Sequence, residues 1–240
     1  MQLFYHPDLS PELASGGGYS VTLSETESLH ATRALRIRNG DAIILTDGNG
    51  FFYDGVIEHA DSRATLVEVT SVRKDERSYS PALTLAIAPT KNPDRIEWLA
   101  EKITELGVAK IILVRCEHSE KDRLNLDRLN RLLISAMKQS NRSVLPAIQG
   151  NLPFAELMKE GLPEQRFIAW CETGEEAHIK HLFKLHCDTV ILIGPEGDFS
   201  KEEVDLAIEN GFKPVSLGSF RLRTETAGLM AAAFFNNANS

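Results

Sequence analysis

From residue 82 onward the sequence alternates short apolar runs with amphipathic helical segments, and this alternation restricts the fold more than any other feature of the chain. A helical segment over 94–106 places Ile96, Leu99 and Ile103 on one stripe and stops at Gly107, a residue typical of the position just past a helix. The runs between such segments are almost continuously apolar, as in strands buried on both faces of a sheet: 82–88, 111–114, 167–170 and 189–193. Strands alternating with helices predict a parallel sheet covered on both faces, and hence an α/β domain over 82–240.

Residues 1–72 show a different pattern, which is mostly β. The segments 41–46 and 51–57 flank Asp47-Gly48-Asn49-Gly50, which contains two dipeptides favoured in hairpin turns. A third segment, 64–69, alternates in the manner of a half-buried strand. We therefore predict a small β-barrel domain over these residues.

Two further segments complete this division of the chain. Residues 30–38 are predicted to form a short helix packed on the barrel, and the polar stretch 73–81 is predicted to link the two domains. The basic start and apolar core of a secretory signal are missing at the N-terminus, and no apolar run has the length that a membrane span needs. We therefore expect a cytoplasmic protein without a membrane partner.

The cysteine content and the distribution of charge indicate which kinds of binding site the chain can form. The three cysteines lie far apart without a CxxC pair, so we expect neither a disulfide framework nor a metal site. A net charge of −8 argues against indiscriminate binding of polyanions. Basic residues are nevertheless concentrated over 121–142, where six stand against two acids, over 33–38, and over 213–223. Such clusters are typical of proteins that bind a phosphate backbone on selected faces, although each taken alone could equally be a solvated helix face.

Unusual residues follow three of the predicted strands, at the ends where ligands bind in open α/β sheets. The segments are Trp170-Cys171-Glu172, Ile193-Gly194-Pro195-Glu196-Gly197 and Leu217-Gly218. Glycine there lets a ligand approach the backbone closely and leaves amide groups available to bond it. Neither GxGxxG nor a Walker lysine motif occurs in the chain, which disfavours dinucleotide and nucleoside triphosphate sites.

The segments Gly194-Pro195-Glu196-Gly197 and Leu217-Gly218-x-x-x-Leu222-Arg223-Thr224-Glu225-Thr226-Ala227 resemble the signature of the RsmE family. Its members methylate N3 of a uridine in the 16S rRNA of the small ribosomal subunit with S-adenosylmethionine. The similarity extends upstream through Lys91, 105–108, 139–146 and 30–41, so it covers nearly the whole chain. One position departs from the family pattern, Gly-Pro-Glu-Gly-Gly, because Asp198 stands where the last glycine is usual.

The resemblance implies a SPOUT methyltransferase domain with a C-terminal trefoil knot, preceded by a PUA-like β-barrel. It further implies a homodimer whose active sites include residues of both chains. The knot loops would hold S-adenosylmethionine through Trp170, Cys171, Glu172, Ile193, Gly194, Pro195, Glu196, Gly197, Leu217, Gly218, Leu222 and Thr226. Uracil N3 lies on the Watson–Crick edge, so the target base must be splayed out and the RNA-binding surface must extend beyond the pocket. The candidates for that surface are His30, Arg33, Arg36, Lys91 and Arg142.

Three residues are candidates for the chemistry itself. Uracil N3 becomes nucleophilic only as its proton leaves, and a guanidinium beside O2 or O4 would stabilise the developing negative charge. Arg223 fits that role, while Glu196 or Glu225 could accept the proton or could instead brace the structure. Two other functions stay open: a SPOUT enzyme acting on another acceptor, such as a 2′-hydroxyl of tRNA, and a non-catalytic ribosome- or RNA-binding module.

Overall fold

The structure is a computed structural model that describes residues 2–15, 18–76, 81–119, 124–174 and 177–239. The chain divides into two compact units. The first comprises Met1–Tyr79 with Met137–Leu145, and the second comprises Ser80–Ala136 with Pro146–Ser240. Among the described residues, no helix combines the length and the apolar character needed to cross a membrane.

The first unit is built on a five-stranded sheet. Its strands are β1 (Leu3–Tyr5), β2 (Tyr19–Thr22), β3 (Ala42–Thr46), β4 (Phe51–His59) and β5 (Leu66–Lys74), in the order β1-β3-β4-β5-β2. Only β1 pairs in parallel, with β3, and the other pairs are antiparallel. The side chains of Phe4, Leu45 and Tyr53 are fully buried at its centre. The three predicted strands are therefore present as β3, β4 and β5. Strands β1 and β2 were not predicted, because three or four residues are too few to show an alternating pattern.

Two short helices, α1 (Pro11–Ser15) and α2 (Glu25–Leu29), accompany this sheet. A π-helical turn over His30–Ala34 continues α2, and Arg36 follows in the left-handed region at φ 55°. The helix predicted over 30–38 therefore begins earlier and ends earlier than expected. Ser24 explains the earlier start, because its side chain accepts a hydrogen bond from the Glu27 amide and caps α2.

The expected linker also needs correction at its start. Strand β5 continues to Lys74, since Lys74 pairs with Phe51 and the Arg73 guanidinium lies 4.6 Å above the Phe52 ring. The rest of the expected linker includes 77–80, which lie outside the described residues.

Residues 137–145 lie with the first unit, although the sequence division assigned them to the second domain. The Ser143 hydroxyl donates to Asp75 at 2.9 Å, the Thr46 hydroxyl donates to the Ser143 carbonyl at 3.2 Å, and Leu145 donates its amide to the Gly48 carbonyl at 2.8 Å. These bonds tie the segment to the β3–β4 hairpin and to the residue after β5, long-range contacts that local sequence does not reveal.

The second unit contains the predicted parallel sheet, and this prediction is confirmed. Its strands are β6 (Leu83–Ile87), β7 (Lys110–Arg115), β8 (Ala147–Pro153), β9 (Gln165–Ala169), β10 (Thr189–Ile193) and β11 (Lys213–Val215), in the order β11-β9-β10-β6-β7-β8. The helices are α3 (Pro93–Glu105), α4 (Leu126–Gln139), α5 (Phe154–Leu157), α6 (Lys201–Glu209) and α7 (Thr224–Asn239). The central strands β6 and β10 are buried along their entire length, as their apolar runs predict.

Helix α7 contacts α3, β6 and β10, so the end of the chain returns to the middle of the sheet after the edge strand β11. These elements pack closely at Gly228, where an added Cβ would lie 2.9 Å from Leu99 Cδ2 and 3.1 Å from Ile87 Cδ1. A side chain at this position would therefore require the ends of Leu99 and Ile87 to repack. The trefoil knot implied by the resemblance stays a prediction.

Candidate functional site

The segments after β9, β10 and β11 contact one another beyond the carboxyl ends of these strands. The Cys171 amide donates to Asp198 Oδ2 at 3.3 Å, which joins the first segment to the second. The Arg221 guanidinium donates to the Glu196 carbonyl at 3.3 Å, which joins the third segment to the second. The Thr224 hydroxyl, at the start of α7, donates to the Gly194 carbonyl at 3.1 Å. The structure thus brings together the three segments that the sequence singled out.

Two glycines in these loops occupy positions where a side chain would be unfavourable, one because of close packing and one because of its backbone conformation. An added Cβ at Gly194 would lie 3.1 Å from two atoms of the Phe199 ring, so the close packing of this ring needs the missing side chain. Gly218 adopts φ 137°, a backbone conformation that L side chains rarely reach. The other predicted cofactor residues of these loops differ in exposure. Ile193 and Pro195 are buried, and Trp170, Leu217 and Leu222 are half-buried. Cys171, Glu172 and Gly197 are exposed.

Glu196 is exposed, and one of its oxygens is bound within the loops. Its Oε1 atom accepts a hydrogen bond from the Lys91 amide at 3.1 Å. Lys91, which the sequence suggested for RNA contact, therefore lies four residues past the end of β6 and against the loop that follows β10. This contact joins the segment after β6 to the loop after β10.

A cavity of about 370 Å³ opens between the first turns of α3 and α7. Its lining includes two of the three candidate catalytic residues, Arg223 and Glu225, and the candidate cofactor residue Thr226. The other lining residues, Asp94, Arg95 and Trp98, were not singled out from the sequence. Arg223 and Thr226 stand on either side of the helix start, while Trp98 is 44% exposed although it is large and apolar. The cavity therefore combines an aromatic wall with basic and acidic groups.

Glu225 is the most constrained acidic group in this cavity. The residue is only 8% exposed, and its Oε1 atom lies 3.7 Å from Arg95 Nε. Its Oε2 atom is buried and has no hydrogen-bond partner among the described residues. Because an unsatisfied buried carboxylate oxygen is costly, such an atom is expected where a ligand completes the site.

Asp198 occupies the left-handed region, with φ 63°. Its amide donates to the Pro195 carbonyl at 3.0 Å and closes a tight turn, while its Oδ1 atom accepts from the Phe199 amide at 2.8 Å. His118 Nδ1 lies 3.0 Å from the Asp198 carbonyl oxygen. Partial burial, and then the adjacent Asp198 carboxylate, raise the pKa of the Cys171 thiol above its usual value.

The predicted capping box at the start of α6 is confirmed. Ser200 Oγ accepts from the Glu203 amide at 3.3 Å, and Glu203 Oε2 accepts from the Ser200 amide at 3.0 Å. Glu203 Oε1 also accepts from the Glu117 amide at 2.9 Å, so this buried carboxylate ties α6 to the end of β7.

The described histidine and cysteine side chains do not group into a metal centre. The His178 and His181 rings lie 6.2 Å apart at a short 3₁₀ turn over Ile179–His181. Within the described parts of the chain, no group of three or more His, Cys, Asp or Glu residues is arranged to hold a metal ion.

In the first unit, the candidate RNA-binding residues His30, Arg33 and Arg36 are exposed around the π-helical turn. The His30 ring also packs edge-on against Phe4, with ring centroids 6.4 Å apart. Of the basic 121–142 cluster, Lys138 is paired with Glu27 at 2.5 Å, and Arg142 is half-buried. Lys121 and Arg123 lie outside the described residues.

Comparisons with known proteins agree with this arrangement and define the class, an RNA methyltransferase. A family model described as an RNA methyltransferase domain matches residues 78–236, and one described as an RNA methyltransferase PUA domain matches residues 23–70. The chain belongs to the ribosomal RNA small subunit methyltransferase E family, as the resemblance to the RsmE family implied. The expected α/β domain preceded by a PUA-like barrel is confirmed as well.

Individual relatives match over most of their length. The ribosomal RNA small subunit methyltransferase E of Synechocystis is 30% identical over 90% of this chain and 73% of the relative. A probable rRNA-methyltransferase from Porphyromonas gingivalis is 40% identical, with a TM-score of 0.88 over 100% of this chain and 98% of the other. The Neisseria gonorrhoeae ribosomal RNA small subunit methyltransferase E, bound to S-adenosyl methionine, is 28% identical, with a TM-score of 0.84 over 100% of this chain and 98% of the other.

Proposed function

We propose that this protein transfers a methyl group from S-adenosylmethionine to N3 of a uridine in the 16S rRNA of the small ribosomal subunit. Family membership supports the reaction class, the cofactor and the RNA substrate. The choice of N3 follows the resemblance to the RsmE family, and the cavity lined by Arg223 and Glu225 supports it. There a guanidinium would face the charge that develops on the uracil oxygens, and a carboxylate with one unpartnered oxygen could accept the N3 proton.

The loops after β9, β10 and β11 fit S-adenosylmethionine. They combine apolar side chains with glycines at positions where the backbone is open to a ligand, as at Gly218, around which no atom lies within 4 Å of an added Cβ. The residues that would hold the cofactor are Trp170, Cys171, Glu172, Ile193, Gly194, Pro195, Glu196, Gly197, Leu217, Gly218, Leu222 and Thr226. When bound, the cofactor supplies an electrophilic methyl group on its sulfonium sulfur.

The cavity lined by Arg223 and Glu225 adjoins these loops, because Thr224 between them bonds Gly194. Its volume of about 370 Å³ is within the range of small-molecule sites and suits a single base. In this role Trp98 offers an apolar face for stacking against the extruded base. Arg223 stabilises the negative charge that develops on the uracil oxygens as N3 loses its proton.

Glu225 is the better candidate for the proton acceptor than Glu196. Glu196 is exposed, and its Oε1 atom accepts a hydrogen bond from the Lys91 amide. Its main role would therefore be to stabilise the loop after β10. Glu225 is buried in the wall of the cavity that Arg223 also lines, and its Oε2 atom has no hydrogen-bond partner among the described residues. A rotation of the carboxylate as the base enters would let this oxygen accept from the N3–H group. Arg95, at 3.7 Å from Oε1, keeps the carboxylate turned into the cavity.

The RNA surface and the assembly complete the proposal. The exposed side chains of His30, Arg33 and Arg36 would bind RNA phosphates, with Arg142 and Lys91 as further contacts. A second copy, in the homodimer that the family resemblance implies, would pack beside the cavity and contribute residues to its border. An enzyme acting on small-subunit rRNA would work in the cytoplasm.

Methyl transfer from labelled S-adenosylmethionine to isolated small subunits tests this function, with the product nucleoside identified by mass spectrometry. We expect N3-methyluridine at one site. A 2′-O-methylated nucleoside, or activity on tRNA alone, would indicate another acceptor. Cofactor binding without transfer to any RNA would instead favour the non-catalytic RNA-binding module.

A further inference from the structure

Asp198 replaces the glycine that ends the Gly-Pro-Glu-Gly-Gly signature, but it keeps the backbone conformation that favours glycine, with φ 63°. Aspartate tolerates this region better than most residues because its short polar side chain can bond nearby backbone groups. The side chain of Asp198 does so, and it reaches beyond its own turn.

Each carboxylate oxygen of Asp198 accepts a backbone amide from a different loop. Oδ1 accepts from Phe199 at 2.8 Å, within the loop after β10, and Oδ2 accepts from Cys171 at 3.3 Å, in the loop after β9. The Asp198 carbonyl additionally lies 3.0 Å from His118 Nδ1, after β7. A glycine at this position would keep the contact with His118, which uses the backbone carbonyl. It would lose the bonds to Phe199 and Cys171, which use the side chain.

Helix capping does not account for these bonds. The start of α6 already has its cap, since Ser200 accepts from the Glu203 amide and Glu203 accepts from the Ser200 amide. The two amides bound by the Asp198 side chain, those of Cys171 and Phe199, both precede that cap. The carboxylate therefore links the loop after β9 to the loop after β10.

We propose that Asp198 is a positioning residue for S-adenosylmethionine, which holds the Cys171 loop at a fixed separation from the Gly194–Gly197 loop. This role rests on the proposed function, because these loops are the proposed cofactor site. A cleft whose walls are already fixed loses less conformational freedom when the cofactor binds, so the carboxylate raises cofactor affinity. It does not touch the acceptor cavity and leaves the rate at saturating cofactor unchanged.

Calorimetric titration with S-adenosylmethionine in the absence of RNA tests the role in wild type, Asp198→Gly and Asp198→Asn. Removing a charge-assisted bond between the loops predicts about tenfold weaker binding for the glycine variant. Asparagine keeps the left-handed backbone and one acceptor, so we expect a loss of about threefold. In methyl transfer assays the KM for S-adenosylmethionine should rise in the same order while kcat stays within about twofold, since the acceptor site is intact.

A matched control is Asp205→Asn, which neutralises an exposed carboxylate on α6 paired with Lys201 at 3.0 Å and should leave affinity unchanged. Thermal unfolding without cofactor shows whether each variant is folded. If both Asp198 variants bind the cofactor as tightly as wild type, or lose kcat rather than affinity, the positioning role is wrong. Wild type that binds the cofactor but does not methylate uridine would overturn the proposed acceptor and leave this role standing. Wild type that binds no cofactor would overturn both.

Discussion

Replacing Glu225 with glutamine keeps the shape of the side chain but removes its ability to accept a proton. The residue is 8% exposed, so the amide occupies the same space beside Arg95 and Arg223 in the cavity. General base catalysis by a placed side chain contributes about 10²–10⁴ in rate, equivalent to about 3–5 kcal/mol of activation free energy. We therefore expect kcat of Glu225→Gln to fall by at least about 100-fold.

The stability of this variant should change much less than its rate. The ion pair with Arg95 spans 3.7 Å, and the Arg95 side chain is 36% exposed, so solvent screens it and its loss costs about 1 kcal/mol or less. Glutamine is also less costly to bury than an ionised carboxylate. A change of that size shifts the melting temperature of a chain this long by about 2–4 °C.

The assay is single-turnover methyl transfer to small subunits at saturating S-adenosylmethionine, with melting temperature and cofactor affinity measured on the same samples. Glu105→Gln is the matched control, because Glu105 is an exposed α3 carboxylate paired with Lys102 at 2.9 Å and lies outside the cavity. Its kcat should equal that of wild type.

Glu196→Gln separates the two candidate acceptors. We expect this variant to weaken cofactor binding, because Glu196 Oε1 holds the Lys91 amide, and to change kcat much less than Glu225→Gln does. If Glu225→Gln stays within about threefold of wild type while Glu196→Gln loses about 100-fold, the assignment of the proton acceptor to Glu225 is refuted.

Three further predictions address stability and RNA binding. Burial, and then the nearby Glu203 carboxylate, raise the pKa of the Cys116 thiol far above its ordinary 9.0. The folded protein therefore keeps the proton while the unfolded chain releases it, so this thiol should lower the unfolding free energy above pH 9 by up to about 1.4 kcal/mol per pH unit. Urea denaturation at pH 8 and 10 should show a smaller fall in Cys116→Ala than in wild type, and an equal fall in both would contradict this assignment. Replacing Arg33 and Arg36 by alanine should weaken RNA binding and reduce the slope of log affinity against log salt by about 0.7–0.9 for each phosphate that the variant no longer binds. Arg63→Ala, at another exposed arginine of the first unit, is the control, and an unchanged slope in the double variant would remove the π-helical turn from the RNA surface. Ser200→Ala should lower unfolding free energy by about 1 kcal/mol because the α6 cap is removed, and a change below the error of urea denaturation would contradict that role.

Much of the second unit could be predicted because its signals are local. Strand β10 has the bounds that its apolar run predicts, and the capping box at Ser200 forms as the spacing to Glu203 requires. Strand β8 was missed because it lies at the edge of the sheet and mixes polar residues with apolar ones over 147–153. It also contains Asn151 at φ 51°, which interrupts any simple alternation.

Only one part of the candidate site, the loops after the strands, could be predicted from the sequence. Glycines after strands and the family signature predicted the candidate cofactor loops, whereas the cavity proposed for the acceptor depends on how α3 packs against α7. The stripe of Ile96, Leu99 and Ile103 described only the buried face of α3. Arg95 and Trp98 stand on the other side of that helix, where a sequence pattern gives no sign of function.

The absent side chain at Gly228 leaves room for the ends of Leu99, Ile87 and Leu85 beside α7, one helical turn from Glu225. An added methyl group would lie 2.9 Å from Leu99 Cδ2, so these side-chain ends would have to turn aside, which they can do without a shift of either helix. The separation of α3 and α7 is therefore held by several interlocking side chains and not by this glycine alone. In a mutational screen, alanine at this interior position should be recorded as a modest loss of stability and not as a loss of methyl transfer.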